Sequence, residues 1–157
     1  MITLLTIGTN KDRAMKDIEA EYLKRLSAFS KVTVLEVRDE PNPHAGREAE
    51  EEIVKEKEGK RALEHIKDRD LCILLDLHGS ELSSEKFADQ LREWQNTGRN
   101  MVFVIAGSLG PSPALTERAD FRWKLSDLTF THLMTRMLVL EQVYRAFMII
   151  NGRTYHK

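Results

Sequence analysis

The sequence predicts an α/β fold, an open parallel sheet flanked by helices. Three observations carry this. Short β-rich apolar runs alternate with stretches of helical spacing along the whole chain, the pattern of repeated βαβ units. Two of those runs, residues 71–77 and Met101–Ile105, are apolar almost throughout, as strands buried on both faces are. The 157 residues are 41% hydrophobic and 31% charged, which fits one folded domain over 1–157 and neither a disordered nor a membrane chain.

Ile2–Ile7 reads as the first strand, stopped by Gly8. A helix follows over 12–29, with Met15, Ile18, Tyr22 and Leu26 at helical spacing. Val32–Val37 is the second strand. Residues 39–46 form an open loop, because Pro41 and Pro43 lack donors and disfavour helix before them. Residues 47–67 read as a highly charged helix with Glu51/Lys55 and Glu56/Lys60 pairs at i,i+4 and a thin apolar stripe of Ile53, Leu63 and Ile66. Gly59 costs this helix about 1 kcal/mol against alanine and marks a candidate bend. After the strand at 71–77, Ser83 or Ser84 caps a helix over 85–95, and Gly98 lies just beyond its end. Met101–Ile105 is the next strand. Ser112 as N-cap and Pro113 at the first helical position open a short helix through Arg118. Residues 121–125 read as one more strand and 132–149 as the last helix. Strand order is not readable from pattern.

Composition bounds the function. No apolar run approaches a membrane span, and the first residues lack the basic and small-residue features of a signal peptide, so no membrane and a cytoplasmic location are expected. The single cysteine, Cys72, cannot form an internal disulfide, and no Cys/His spacing suggests a metal. Net charge is −1, but residues 121–157 hold six basic and two acidic groups, +4, leaving −5 on the first 120. A polyanion would meet the C-terminal part and be repelled elsewhere. The last helix is apolar around most of its circumference, from Leu133 to Met148, where a surface helix needs one stripe only. A homodimer that covers the second face is expected.

In open α/β sheets ligands bind beyond the carboxyl ends of the strands. Three strand exits qualify: Leu75-Asp76-Leu77-His78-Gly79, Ile105-Ala106-Gly107-Ser108-Leu109-Gly110 and Leu125-Ser126-Asp127-Leu128-Thr129-Phe130. Gly107 and Gly110 permit positive φ and close backbone approach to a ligand. They form neither GxGxxG nor a phosphate loop, so dinucleotide and ATP sites are not indicated. His132 opens the last helix, and Tyr155-His156-Lys157 puts an aromatic and an imidazole at the chain end, where chains usually fray.

The segments Phe103 to Gly110, Leu125 to Phe130 with His132, Leu140-Glu141-Gln142-Val143-Tyr144-Arg145-Ala146-Phe147 and the final Tyr155-His156-Lys157 resemble the RlmH type of ribosomal RNA methyltransferase, of the SPOUT superfamily. The opening Leu4-Leu5-Thr6-Ile7-Gly8 and Val54-Lys55-Glu56-Lys57-Glu58-Gly59 match as well, so the resemblance runs end to end. It implies an α/β knot near the C-terminus, a homodimer, and S-adenosylmethionine as cofactor. It also implies methylation of N3 of a pseudouridine in 23S rRNA (position 1915 in the family) on assembled ribosomes. Carried over by position, the cofactor contacts fall on Leu75, Ala106, Gly107, Leu125, Ser126, Asp127, Leu128, Thr129 and Phe130. The family usually has glycine where this chain has Ala106, and proline where it has Thr131. Ala106 would weaken cofactor binding if that position needed positive φ.

Methyl transfer from a sulfonium is a direct displacement, so the protein positions N3 and must accept its proton or stabilise the charge left behind. His132, His156 and Asp76 are the available bases, Arg136 and Arg153 the available stabilisers, and Tyr155 a group to pack on base or cofactor. The catalytic expectation centres on His132, Arg136, Tyr155 and His156, with the tail ordered by RNA or cofactor. The alternatives are a non-catalytic ribosome-associated module of the same fold, and a methyltransferase acting on tRNA.

Overall fold

The computed structural model describes residues 1–43 and 46–157; His44 and Ala45, in the middle of the expected loop 39–46, lie outside the described residues. Ten elements follow in alternation: β1 Ile2–Ile7, α1 Arg13–Leu26, β2 Val32–Val37, α2 Glu48–Leu63, β3 Leu71–Ser80, α3 Ser84–Asn96, β4 Met101–Ile105, α4 Pro113–Arg118, β5 Phe121–Trp123 and α5 His132–Ile150. The sheet order is β2-β1-β4-β3-β5 and every pairing is parallel.

The alternation of side chains along each strand sorts the core into two layers. Ile2, Leu4, Ile73, Met101 and Phe103 face one way, against Leu26 of α1, Phe87 and Leu91 of α3 and Val139, Val143 and Phe147 of α5. Leu5, Ile7, Cys72, Leu74, Val102 and Val104 face the other, against Ala62 of α2 and Leu115 of α4. Complete burial of a side chain such as Phe103 contributes about 1.5–3 kcal/mol. Phe87 and Trp123 stack at 4.2 Å and join α3 to the short edge strand β5.

Local signals set the helix ends. Asp12 accepts from the Met15 N–H, Ser83 from Lys86, Ser112 from Leu115 and Thr131 from Met134, so four of the five helices carry a side-chain N-cap. Thr131, where the family usually has proline, thus caps α5.

Expectations for α2, α1 and α5 are revised. Helix α2 stops at Leu63 rather than Lys67, and its packed face is Val54, Glu58, Gly59 and Ala62, while Ile53 is 51% exposed. Gly59 marks no break in the helix: a Cβ there would stand 2.2 Å from Ser112 Oγ, so glycine lets α2 approach α4. In α1, Leu26 is buried and Met15 and Tyr22 are half-buried as expected, but Glu19 takes the buried place expected for Ile18, which is exposed. The all-round apolarity of α5 is largely taken up within the protomer, because the helix packs on α1, α3 and β4. Val139 and Val143 are core residues of the protomer.

Candidate active site

Strands β1 and β4 are neighbours, yet β1 leads to α1 on one face and β4 to α4 on the other. Such a reversal opens a crevice at the carboxyl ends of the strands. A cavity of about 640 Å³ lies there, walled by the loops after β3, β4 and β5 and by the first turn of α5. Its size is that of a small-molecule site, which spans roughly 300–1,000 Å³.

Of the residues expected to hold the cofactor, Leu75, Ala106, Gly107, Leu125, Ser126, Leu128, Thr129 and Phe130 line this cavity. Asp127 does not; it is exposed and paired with Lys124. The Ser126 hydroxyl accepts from the Leu128 N–H at 3.0 Å and shapes the third loop. In the second loop the Gly110 N–H donates to the Gly107 carbonyl at 3.0 Å, and Gly110 has φ +89°. Ala106 has no positive φ, so its methyl group is tolerated by the backbone. Gly107 has none either; the space beside it is the constraint, since an added Cβ would lie 2.7 Å from Glu58 Oε1. Sequence had attributed that glycine to approach by a ligand.

His132 is the expected catalytic group that reaches the cavity. Its ring packs over Gly8 at the end of β1, and its Nε2 is buried without a hydrogen-bond partner. Burial first, and then the Arg136 charge, lower the pKa of His132; Glu36 and Asp39 oppose them. The imidazole is therefore held neutral near pH 7, able to accept a proton.

The other three lie elsewhere in the protomer. Arg136 is buried beneath the site, bonded to Glu19 and Glu36. Tyr155 donates to Glu141 at 3.2 Å, packs edge-on against Tyr144, and lies under the Arg145 guanidinium. Burial first, then Tyr22 and Glu141, push its hydroxyl up to about 12. His156 has both ring nitrogens engaged: Arg145, which can only donate, contacts Nδ1 at 3.1 Å, so Nε2–H donates to Glu85 at 2.7 Å. The tail is thus ordered by its own protomer, where sequence had expected RNA or cofactor to order it. Asp76 is no free base either. Burial raises its pKa, but the His78 N–H and Arg122 outweigh burial and leave it lowered. Cys72 is inert, its thiol pushed by burial to about 11.

Sequence missed Lys55, Arg122 and Thr135 on the cavity wall and the Glu19–Arg136–Glu36 triad below it. A charged residue on an apolar helix face, as at Glu19, was the available signal. Among the described residues no His/Cys/Asp/Glu group could hold a metal ion, and no helix is long and apolar enough to cross a membrane.

The sequence profile of a family described as "Predicted SPOUT methyltransferase" matches residues 1–156. The chain belongs to the SPOUT methyltransferase family. As such an enzyme it requires a methyl donor. Among its SPOUT relatives, a "Ribosomal RNA large subunit methyltransferase H" of Clostridium botulinum (strain Kyoto / Type A2) is 43% identical, covering 99% of each chain. Proteins of the same name from Clostridium beijerinckii and Acetivibrio thermocellus are also 43% identical, again over 99% of each chain. Among solved structures, the SpoU methyltransferase AviRb from Streptomyces viridochromogenes covers 98% of this chain and 61% of its own, at TM-score 0.45 and 16% identity.

Proposed function

We propose that this chain is an S-adenosylmethionine-dependent methyltransferase that modifies N3 of a pseudouridine in 23S rRNA on the assembled ribosome. The observation that carries the site assignment is the orphaned Nε2 of a neutral His132 on the cavity wall. A buried polar atom without a partner costs about 1–3 kcal/mol, so a ligand that supplies the partner recovers that cost. The full-length 43% identity to rRNA large-subunit methyltransferases supports the substrate class.

The residues present fit the cofactor. Leu75, Leu125, Leu128 and Phe130 form an apolar slot for an adenine, and the backbone around Ala106–Gly107 and Ser126–Thr129 offers donors and acceptors to its edge. S-adenosylmethionine, when bound, supplies an electrophilic methyl group on a sulfonium. His132 Nε2 takes the N3 proton of the base, and the loops hold N3 in line while excluding water. Arg122, paired to Asp76 at 2.7 Å, is the cavity's guanidinium for a negative oxygen. The role of Arg136 is exerted through His132. Tyr155 and His156 act from their docked position on α3 and α5, as a surface offered to rRNA.

The same proposal takes residues 1–157 as one domain with a SPOUT knot near its C-terminus, working in the cytoplasm as a homodimer. Return of the chain from edge strand β5 to α5, which packs on central β4, supports the knot. Exposed Leu128 (69%) and Met134 (41%) beside the site support a second copy as their cover.

Mass mapping of rRNA from a deletion strain tests the substrate: one methyl should be missing from one pseudouridine, and return with the wild-type gene. An unchanged map would defeat the proposal. In vitro, His132→Gln should bind S-adenosylmethionine by calorimetry yet methylate ribosomes about 100-fold more slowly, the typical contribution of a positioned base.

A further inference from the structure

We infer that the Glu19–Arg136–Glu36 triad, built around a buried guanidinium, is a positioning device for methyl transfer, with Arg136 acting through His132 and not on substrate. Arg136 lies one turn after His132 on α5 and is only 1% exposed. Its Nη1 donates to Glu36 Oε2 at 2.7 Å and its Nη2 to Glu19 Oε1 at 2.8 Å, joining α5 to β2 and to α1. Asn10, itself buried, closes the network. Its backbone N–H donates to Glu36 Oε2 at 2.7 Å, its Nδ2 donates to Glu19 Oε2 at 3.0 Å, and its Oδ1 accepts from the Asp12 N–H. Four parts of the chain, more than 100 residues apart in sequence at the extremes, are tied around one guanidinium.

The tied segment matters for the site. The β1–α1 loop that carries Asn10 also carries Gly8, with φ +121°, and the His132 ring lies over Gly8. The triad therefore holds both the helical turn that bears the imidazole and the floor on which it rests. Stability alone does not require such a cluster: at a buried pair such as Arg136–Glu19 apolar side chains of similar volume are often as stable or more so, and the partly exposed Glu36 adds little. Arg136 Nε even lacks a partner. What ions supply and an apolar trio cannot is fixed direction and a charge close to His132.

The charged groups that act on His132 are Arg136 from α5, Glu36 from β2 and Asp39 from the loop after β2; Glu19 and Lys16 reach it only through the triad. The cavity's other charged or titratable side chains are Lys55, Asp76, His78 and Arg122. Glu36 favours the imidazolium and Arg136 opposes it. Removing the Glu36 charge must lower the His132 titration midpoint, whereas Arg136→Lys keeps the charge and loses only the two-pronged geometry.

Resting on the reading of His132 as base, this is tested with full-length Glu36→Gln, Glu19→Gln, Arg136→Lys and His132→Gln. Readouts are the His132 titration by NMR, S-adenosylmethionine calorimetry, and single-turnover methylation of ribosomes against pH. Arg136→Lys should bind cofactor as wild type and lose about 100-fold in rate, as a displacement of about 1 Å does. Glu36→Gln should move the His132 midpoint and the acid limb of the rate profile down together. If Arg136→Lys does not fold, the two Gln variants carry the test. A midpoint and profile unmoved in both Gln variants, or a wild-type rate in Arg136→Lys, overturns the inference. A wild-type rate in His132→Gln overturns instead the assignment of the base, whatever the titrations show.

Discussion

Replacing Gly107 by alanine should weaken cofactor binding, because the new methyl would stand 2.7 Å from Glu58 Oε1 and push the second loop off the cavity wall. The same change should cost less in a Glu58→Ala background. A double-mutant cycle on urea midpoints should show coupling on the order of 1 kcal/mol, as contacting residues do. Ala106→Gly should be nearly neutral for binding, since Ala106 already has an ordinary φ. Glu58 carries a second consequence. Burial chiefly, opposed by the Glu40 N–H and reinforced by Asp39, raises its pKa. The fold therefore favours its protonated form, and stability is lost as pH rises through the folded value. Glu58→Gln should remove that loss, giving a flatter stability profile between weakly acidic and neutral pH. For His132 the shift has the opposite direction. Its lowered pKa makes the fold less stable as pH falls below about 6.5, and the acid limb of methylation should lie below that ordinary value.

Between elements, the tightest constraint is the crossing of α2 and α4. Helix propensity alone says Gly59→Ala should gain about 1 kcal/mol. Its Cβ would meet Ser112 Oγ at 2.2 Å and the Ser112 Cβ at 3.0 Å, so overpacking of about 1–3 kcal/mol should win and lower the urea midpoint. Helix α5 shows the same dependence on neighbours. Val143→Glu should unfold the protomer rather than split a dimer, because Val143 faces the sheet. Met134→Glu, on the exposed side, is the variant that should dissociate the proposed dimer by sedimentation and leave the circular dichroism unchanged. The tail belongs to this scale too. Tyr155 contacts Tyr144 and Arg145, and His156 bridges Arg145 to Glu85, so truncation after Thr154 should cost about 1–2 kcal/mol of protomer stability.

Across the whole molecule, the cavity walls come chiefly from the ends of β3, β4 and β5, which share one sheet, and from α5, which shares their core. Ligand binding should therefore protect the entire fold. At a hundredfold excess over Kd, S-adenosylmethionine should add about 2.7 kcal/mol, or roughly 5–10 °C in Tm by scanning calorimetry. The +4 charge of residues 121–157 is not a free basic face. Arg136 is paired with Glu19 and Glu36, Arg122 with Asp76, Lys124 with Asp127 and Arg145 with Glu141. This segment should accordingly add little to the salt dependence of rRNA binding, because among the described residues only Arg153 and Lys157 within it stand outside such ion pairs.

Periodicity and turn residues in the sequence specify the order and type of all ten elements, the two strands buried on both faces, and the three loops that wall the cavity. Those properties follow from periodicity, capping residues and strand-exit glycines, which act over a few neighbouring positions. Tertiary structure alone decided the strand order, the partners of Arg136, the docking of Tyr155 and His156, and the reason for Gly59 and Gly107. Glu19 and Arg136 are 117 residues apart, and Gly107 and Glu58 belong to different elements, so no local pattern records that they touch. Helical spacing puts Glu19 on the face of Met15, Tyr22 and Leu26, but only the tertiary structure supplies the guanidinium on the facing helix that lets the glutamate be buried there.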